Sequence, residues 1–280
     1  MSHEDEIRTQ QHALWNGISG QAWVDTQALM DEMLAGFETH LTGQVKTIAP
    51  RALLDVGCGT GATTLAASQA MPDGHCTGVD ISAPMIALAR QRAEAEKVTA
   101  DFIVADAGTR TFRENQFDMI ISRFGVMFFA DPVAAFDNLR RAARPGAHLH
   151  LLAWRAPEET PFMTLARRTA APLLPGLPTP DPDAPGQFAF ADADKVTGIL
   201  RAAGWQAIGI SPLDMDCAFP AGALETFLTR LGPLGQVLPE LEASKRTQLI
   251  KALLDAFHTY VQDGEVRFTA ACWQISAVNA

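Results

Sequence analysis

Between Ala52 and Trp154 the chain alternates short apolar runs with longer segments whose apolar residues recur at helical spacing. The runs Ala52 to Val56, Cys76 to Val79, Asp101 to Val104, Phe117 to Ser122 and Ala147 to Trp154 are mostly apolar without strict alternation. That pattern belongs to strands covered on both faces. Between them, Thr60 to Met71, Pro84 to about Glu96 and Pro132 to Ala143 read as helices, with Ser82 placed as an N-cap ahead of Pro84. Strand–helix–strand units build a parallel sheet, and right-handed crossovers put helices on both of its faces. The expectation is an α/β protein with a doubly wound, Rossmann-like sheet.

The flanks read differently. Residues 6 to 48 contain no proline and look helical, with an interruption at Trp15-Asn16-Gly17-Ile18-Ser19-Gly20-Gln21-Ala22-Trp23. Met30, Met33, Leu34, Phe37 and Leu41 then follow at helical spacing until Pro50 ends the run. Residues 1–48 are expected as a helical lid and 49–280 as the main domain, with cap insertions at about 156–190 and 220–262. The first insertion holds a helix, Glu158 to Leu174, and a crowd of prolines: Pro172, Pro175, Pro178, Pro180, Pro182 and Pro185. Those prolines suit an exposed linker or a cap over the strand ends. Asp192 caps a helix to Ala203, and Trp205 to Ile210 is a sixth strand. Helices Ala223 to Leu231 and Leu241 to Val261 lead to a last strand, Glu265 to Ala277.

The chemistry centres on Leu53-Leu54-Asp55-Val56-Gly57-Cys58-Gly59-Thr60-Gly61. A strand ends in an acid, three glycines allow a tight turn, and a helix opens with unpaired N–H groups facing a ligand. Gly57, Gly59 and Ala62 also satisfy a dinucleotide pattern. Asp55 opposes that reading, because its carboxylate would face a pyrophosphate. A cofactor with a cationic amino-acid end fits better, and S-adenosylmethionine (SAM) is one. In sheets of this type ligands sit at the carboxyl ends of strands. Asp55, Asp80, Asp106, Ser122, Arg123 and Trp154 are all placed there, whereas His75, His148 and His150 fall near the other end.

These motifs, over about Ala49 to Trp154, resemble those of the class I SAM-dependent methyltransferases. The run Phe124-Gly125-Val126-Met127-Phe128-Phe129 followed by Asp131-Pro132 is similar to the ubiquinone/menaquinone-biosynthesis C-methyltransferase-like subgroup. The resemblance implies a seven-stranded sheet in the order 3-2-1-4-5-7-6 with strand 7 antiparallel. It implies SAM as cofactor, with Asp55, Gly57 and Gly59 around the amino-acid end and Asp80 on the ribose. Ile81, Met85, Asp106 and Ala107 surround adenine. Ser122 and Arg123 stand by the methionine end, and Trp15 and Trp23 in the lid.

Composition narrows the rest. The 280 residues carry a net charge of −10, which disfavours nucleic acid and anionic membrane as partners. Cys58, Cys76, Cys217 and Cys272 are scattered with no ligand spacing, so no metal is expected. The acidic start lacks an apolar signal region, and a cytoplasmic protein is expected. The reading is transfer of a methyl group to a small, partly apolar molecule at oxygen, nitrogen or carbon. A dinucleotide-dependent oxidoreductase and a non-catalytic SAM-binding regulator are the alternatives. The only histidines left for a catalytic base are His12 and His258.

Overall fold

The computed structural model describes residues 2–177, 181 and 184–280. Pro178, Pro180 and Pro182 of the proline-rich stretch lie outside the described residues. The strands are β1 (Ala52–Val56), β2 (His75–Asp80), β3 (Asp101–Val104), β4 (Phe117–Arg123), β5 (Ala143–Trp154), β6 (Gln206–Pro220), β7 (Val261–Gln262) and β8 (Glu265–Val278). They form one sheet in the order β3-β2-β1-β4-β5-β8-β6, with β7 paired to β8 off that path. β1 to β5 run parallel, and β8 runs antiparallel between β5 and β6. This is the expected order, with the expected last strand now β8.

The helices are α1 (His3–Asn16), α2 (Ile18–Asp25), α3 (Gln27–Met33), α4 (Ala35–Ile48), α5 (Ala62–Ala70), α6 (Ala83–Glu96), α7 (Pro132–Ala142), α8 (Pro161–Ala170), α9 (Ala193–Ala202), α10 (Leu224–Arg230), α11 (Gly232–Val237) and α12 (Ala243–Phe257). Alternate residues of one strand serve opposite faces. Leu54, Val56 and Ile120 join the main core with Phe136 and Leu139 of α7. Leu53, Met119 and Ile121 pack instead with Val45 of α4 and Ala67 of α5.

Three stretches depart from the expected boundaries. β6 continues well past Ile210 to Pro220, matched against β8 from Val278 down to Glu265. Pro212 is tolerated because β6 is the sheet's edge. The helix expected to reach Val261 stops at Phe257; Asp263 and Gly264 take positive φ and turn β7 into β8. An Asp-Gly pair between apolar residues is a hairpin signal, outweighed in the sequence by the helical run before it. β5 begins at Ala143, which pairs with Phe117.

The residues set apart as a lid divide by packing. α1 buries no side chain, whereas α4 buries Phe37, Leu41 and Val45. The stretch 156–190 also contributes Phe162, Ala170, Leu174 and Phe190 to the main core.

The turns after β1 and β4 touch backbone to backbone. A Cβ on Gly125 would lie 2.6 Å from the Gly57 Cα and from the Val56 carbonyl oxygen. Ser122 locks the same contact, donating to the Val56 carbonyl at 2.7 Å and accepting from Gly125 N at 3.1 Å. Gly125→Ala is therefore expected to cost about 1–3 kcal/mol by forcing the two turns apart. Urea unfolding checks this, with a lowered midpoint at unchanged slope.

Candidate active site

The carboxyl ends of β1, β2 and β3 bring Asp55, Asp80 and Asp106 to one rim of the sheet. Asp55 is 1% exposed. Its Oδ2 accepts from the Thr64 hydroxyl at 2.7 Å, and its Oδ1 has no partner. Burial pushes this carboxyl up to about 6, against the opposing pull of Thr64 and Arg123. Thr64 reaches back because side chains in a helix's first turn lean toward its N-terminus. That lean is the signal by which it could have been found in the sequence.

Asp80 has a different environment. Its Oδ2 accepts from Gly59 N at 2.8 Å, and its Oδ1 from Ser82 N at 2.8 Å. The acid thus ties the glycine turn to the start of α6. Burial raises its pKa, and the backbone N–H donors partly offset the rise. Each carboxylate oxygen keeps a second lone pair, so both can also accept from a ribose diol. Ser82 remains the cap of α6, with its hydroxyl accepting from Met85 N. Asp106 accepts from Gly108 N at 2.8 Å, and Asn138 of α7 holds the Ala107 carbonyl at 3.0 Å. Met85 and Ala107 are buried and Ile81 is half-buried, giving the rim an apolar lining.

Ser122 requires a correction. It is fully buried, and its hydroxyl is committed to Val56 and Gly125, so it braces the two turns rather than contacting a ligand. Arg123, the next residue, has an enclosed Nη1 with no partner. Phe124 takes φ 65, an uncommon conformation for a bulky residue. It stacks on Trp154 with ring centroids 4.9 Å apart and meets the edge of Phe37 at 5.0 Å. Strain of this kind persists where packing over-determines it, often at working sites.

The N-terminal helices close on the rim through contacts the sequence did not reveal. Asn16 donates to the Ile81 carbonyl at 3.0 Å and accepts from Ala83 N at 2.9 Å. The Ser82 hydroxyl donates to the Trp15 carbonyl at 2.6 Å, and the Trp15 ring meets Phe128 edge-on at 5.2 Å. Gly20 permits this approach, since a Cβ there would clash with the Trp15 carbonyl and the Ser82 hydroxyl. Trp23 is partly buried and packs against the main core, which anchors α2. His12 and His258 are both exposed, and neither imidazole has a hydrogen-bond partner among the described residues. Neither qualifies as a base held against a reacting group. Asn16→Ala should release α1 and α2: faster amide exchange over residues 8–28 and a several-fold faster cofactor release are expected, read by hydrogen exchange and stopped-flow fluorescence.

The donor set fits SAM. A buried carboxylate oxygen without a partner calls for a cationic donor, and the ammonium supplies it. Asp80 suits a cis-diol, and Ile81 and Met85 suit an adenine face. A pyrophosphate would meet the buried Asp55 instead of free amides.

Comparison with known proteins agrees. Residues 53–146 match the model of a methyltransferase domain family. A demethylmenaquinone methyltransferase of Thermus thermophilus is 34% identical over 132 residues, which is 46% of this chain and 60% of that protein. Phosphoethanolamine N-methyltransferase 1 of Triticum aestivum is 32% identical over 131 residues, 46% of this chain and 24% of that protein. The chain therefore spans less than two thirds of either relative's length. Among solved structures, the YcgJ protein of Bacillus subtilis superposes with a TM-score of 0.55 at 20% identity, covering 86% of this chain and 98% of that one, a likeness of fold. Residues 53–146, which hold the three rim acids and the glycine turn, thus match a methyltransferase domain, set in a sheet of the order expected for the class I SAM-dependent methyltransferases.

Proposed function

We propose that the protein transfers a methyl group from SAM to a small, partly apolar acceptor by in-line displacement. The observation that carries this reading is the rim of Asp55, Asp80 and Asp106, with an Asp55 oxygen left for a cation. SAM supplies a methyl group already activated on a positively charged sulfur. The chain's own task is then alignment, which can supply about 7–11 kcal/mol of the barrier. Asp55 and Asp80 fix the two ends of the cofactor and so the position of its sulfur. Phe124, Trp154, Phe128 and Trp15 provide the aromatic surface against which an acceptor is oriented. The docked α1–α2 junction excludes water from that space. No helix among the described residues is long and apolar enough to cross a membrane.

Calorimetry with SAM, S-adenosylhomocysteine and NADH tests the cofactor assignment. Binding of the first two and none of NADH is expected; tighter binding of NADH overturns it. A following screen of phenols, amines and quinone precursors, with product detected by mass, tests the transfer. Methyl transfer to none of these acceptor classes, with SAM bound, would favour a non-catalytic role.

A further inference from the structure

The connection from β3 to β4, residues 105–116, contains no helix. The sheet therefore lacks its usual cover beside β3, the edge strand, and a groove of about 420 Å³ opens there. The starts of β2, β3 and β4 line it through His75, Asp101 and Phe117. Thr77 lines it too, on the same face of β2 as Val79 of the main core. Asp80, at the cofactor rim, stands three residues beyond Thr77, about 10 Å along the strand. The groove is thus separate from that rim.

Three guanidiniums gather at this groove in a chain of net charge −10. Arg90 reaches from α6 to the edge strand, donating through Nη2 to the Phe102 carbonyl at 2.6 Å. That bond fixes its guanidinium in place. Arg110 lies over the Phe112 ring at 5.8 Å, and Arg113 follows on the same segment. None of the three is ion-paired among the described residues. The one acid lining the groove, Asp101, already meets the His75 imidazole at 2.9 Å. Glu114, beside Arg113 in sequence, does not line it. Thr77 is an independent sign of a ligand. It is 5% exposed, and its hydroxyl has no partner among the described residues. A buried hydroxyl ordinarily has one. Cations crowded without counter-ions repel one another, and an arriving anion relieves that repulsion.

We propose that this groove binds a small molecule carrying a phosphate or diphosphate group, at a site distinct from the cofactor rim. Guanidinium forks match phosphate oxygens two at a time, and hydrogen bonds to a charged oxygen are the strong ones. Thr77 supplies a neutral donor from the floor. Ile103 and the Phe112 ring give an apolar wall for the rest of the molecule. The volume is in the range of small-molecule sites. The inference does not depend on the methyl-transfer reading.

Calorimetry on the full chain tests it, with inorganic pyrophosphate as the probe and malonate as the carboxylate comparison. Both are measured with and without S-adenosylhomocysteine. One equivalent of pyrophosphate should bind, more tightly than malonate and equally well in either condition. Arg110→Gln and Arg113→Gln, both exposed positions, should each weaken it about 10- to 30-fold. Thr77→Val keeps the side chain's shape and should weaken it about threefold. Arg201→Gln, exposed on α9, should leave it unchanged. Loss of pyrophosphate binding on adding S-adenosylhomocysteine would place the anion at the cofactor rim and overturn the proposal. Tighter binding of malonate would overturn it as well. So would equal losses in Arg201→Gln, which report net charge alone, or no binding of pyrophosphate by wild type.

Discussion

Asp80→Ala will bind S-adenosylhomocysteine about 30- to 1,000-fold more weakly than the wild type, the equivalent of 2–4 kcal/mol. Two ribose hydroxyls would lose a charged acceptor in a partly enclosed site, each such bond being worth about 1.5–3 kcal/mol. Adenosine should weaken in step, since it carries the same diol. The structure adds a consequence for the protein without ligand. Asp80 also accepts from Gly59 N and Ser82 N, so truncation strands two backbone donors and loosens the glycine turn. An unsatisfied buried donor costs about 1–3 kcal/mol, and a stability loss of roughly 2–4 kcal/mol is expected from the pair. From position alone, a strand-end carboxylate would have carried no such cost. Asp80→Asn separates the two effects. Its amide oxygen can still accept one N–H, so stability should fall less, while the diol still loses the charge. Urea unfolding and calorimetry on both variants check this. Wild-type affinity in Asp80→Ala would remove β2 from the cofactor site.

The strand-end acids were legible because period and position are local properties. An apolar run ending in Asp55, Asp80 or Asp106 needs only a few residues to be read, and the rule that ligands gather at carboxyl ends does the rest. Ser122 shows where that reasoning breaks. Its place on β4 is right, yet its hydroxyl is taken by Val56, 66 positions away in sequence, and by Gly125. Asn16 escaped for the same reason: its partners Ile81 and Ala83 lie 65 and 67 positions on. Polar contacts between distant segments leave no periodicity. The long β6 was missed because an edge strand bordered by prolines and acids lacks the apolar continuity of a central one. α4 was placed with the lid because a helix pattern says which residues share a face, not what covers it. Phe37 and Val45 turn out to cover the sheet itself.

Binding of S-adenosylhomocysteine should tighten about tenfold between pH 5 and pH 7, and Asp55 is the expected cause. Burial holds its carboxyl proton up to about pH 6 in the folded chain, against an ordinary value of 3.8. Thr64 and Arg123 pull the other way, and Asp80 adds to the rise as a second acid close by. The ligand's ammonium requires the ionised form. Below about pH 6 binding must first remove the proton, and each further unit of acidity costs up to a tenfold loss. Stability without ligand moves oppositely. Near pH 5 the folded chain retains a proton that the unfolded chain has released. The favourable contribution is therefore complete below about pH 4 and is lost as the pH rises through about 6, amounting to roughly 2–3 kcal/mol. Asp55→Asn removes both effects. Its affinity should be flat from pH 5 to 7 and about 10- to 100-fold weaker than wild type at pH 7, while its unliganded stability at pH 7 equals or exceeds wild type. Methylthioadenosine, lacking the ammonium, should bind wild type without this pH dependence. A flat wild-type profile for S-adenosylhomocysteine would mean that the unpartnered Asp55 oxygen does not meet the cofactor's cation.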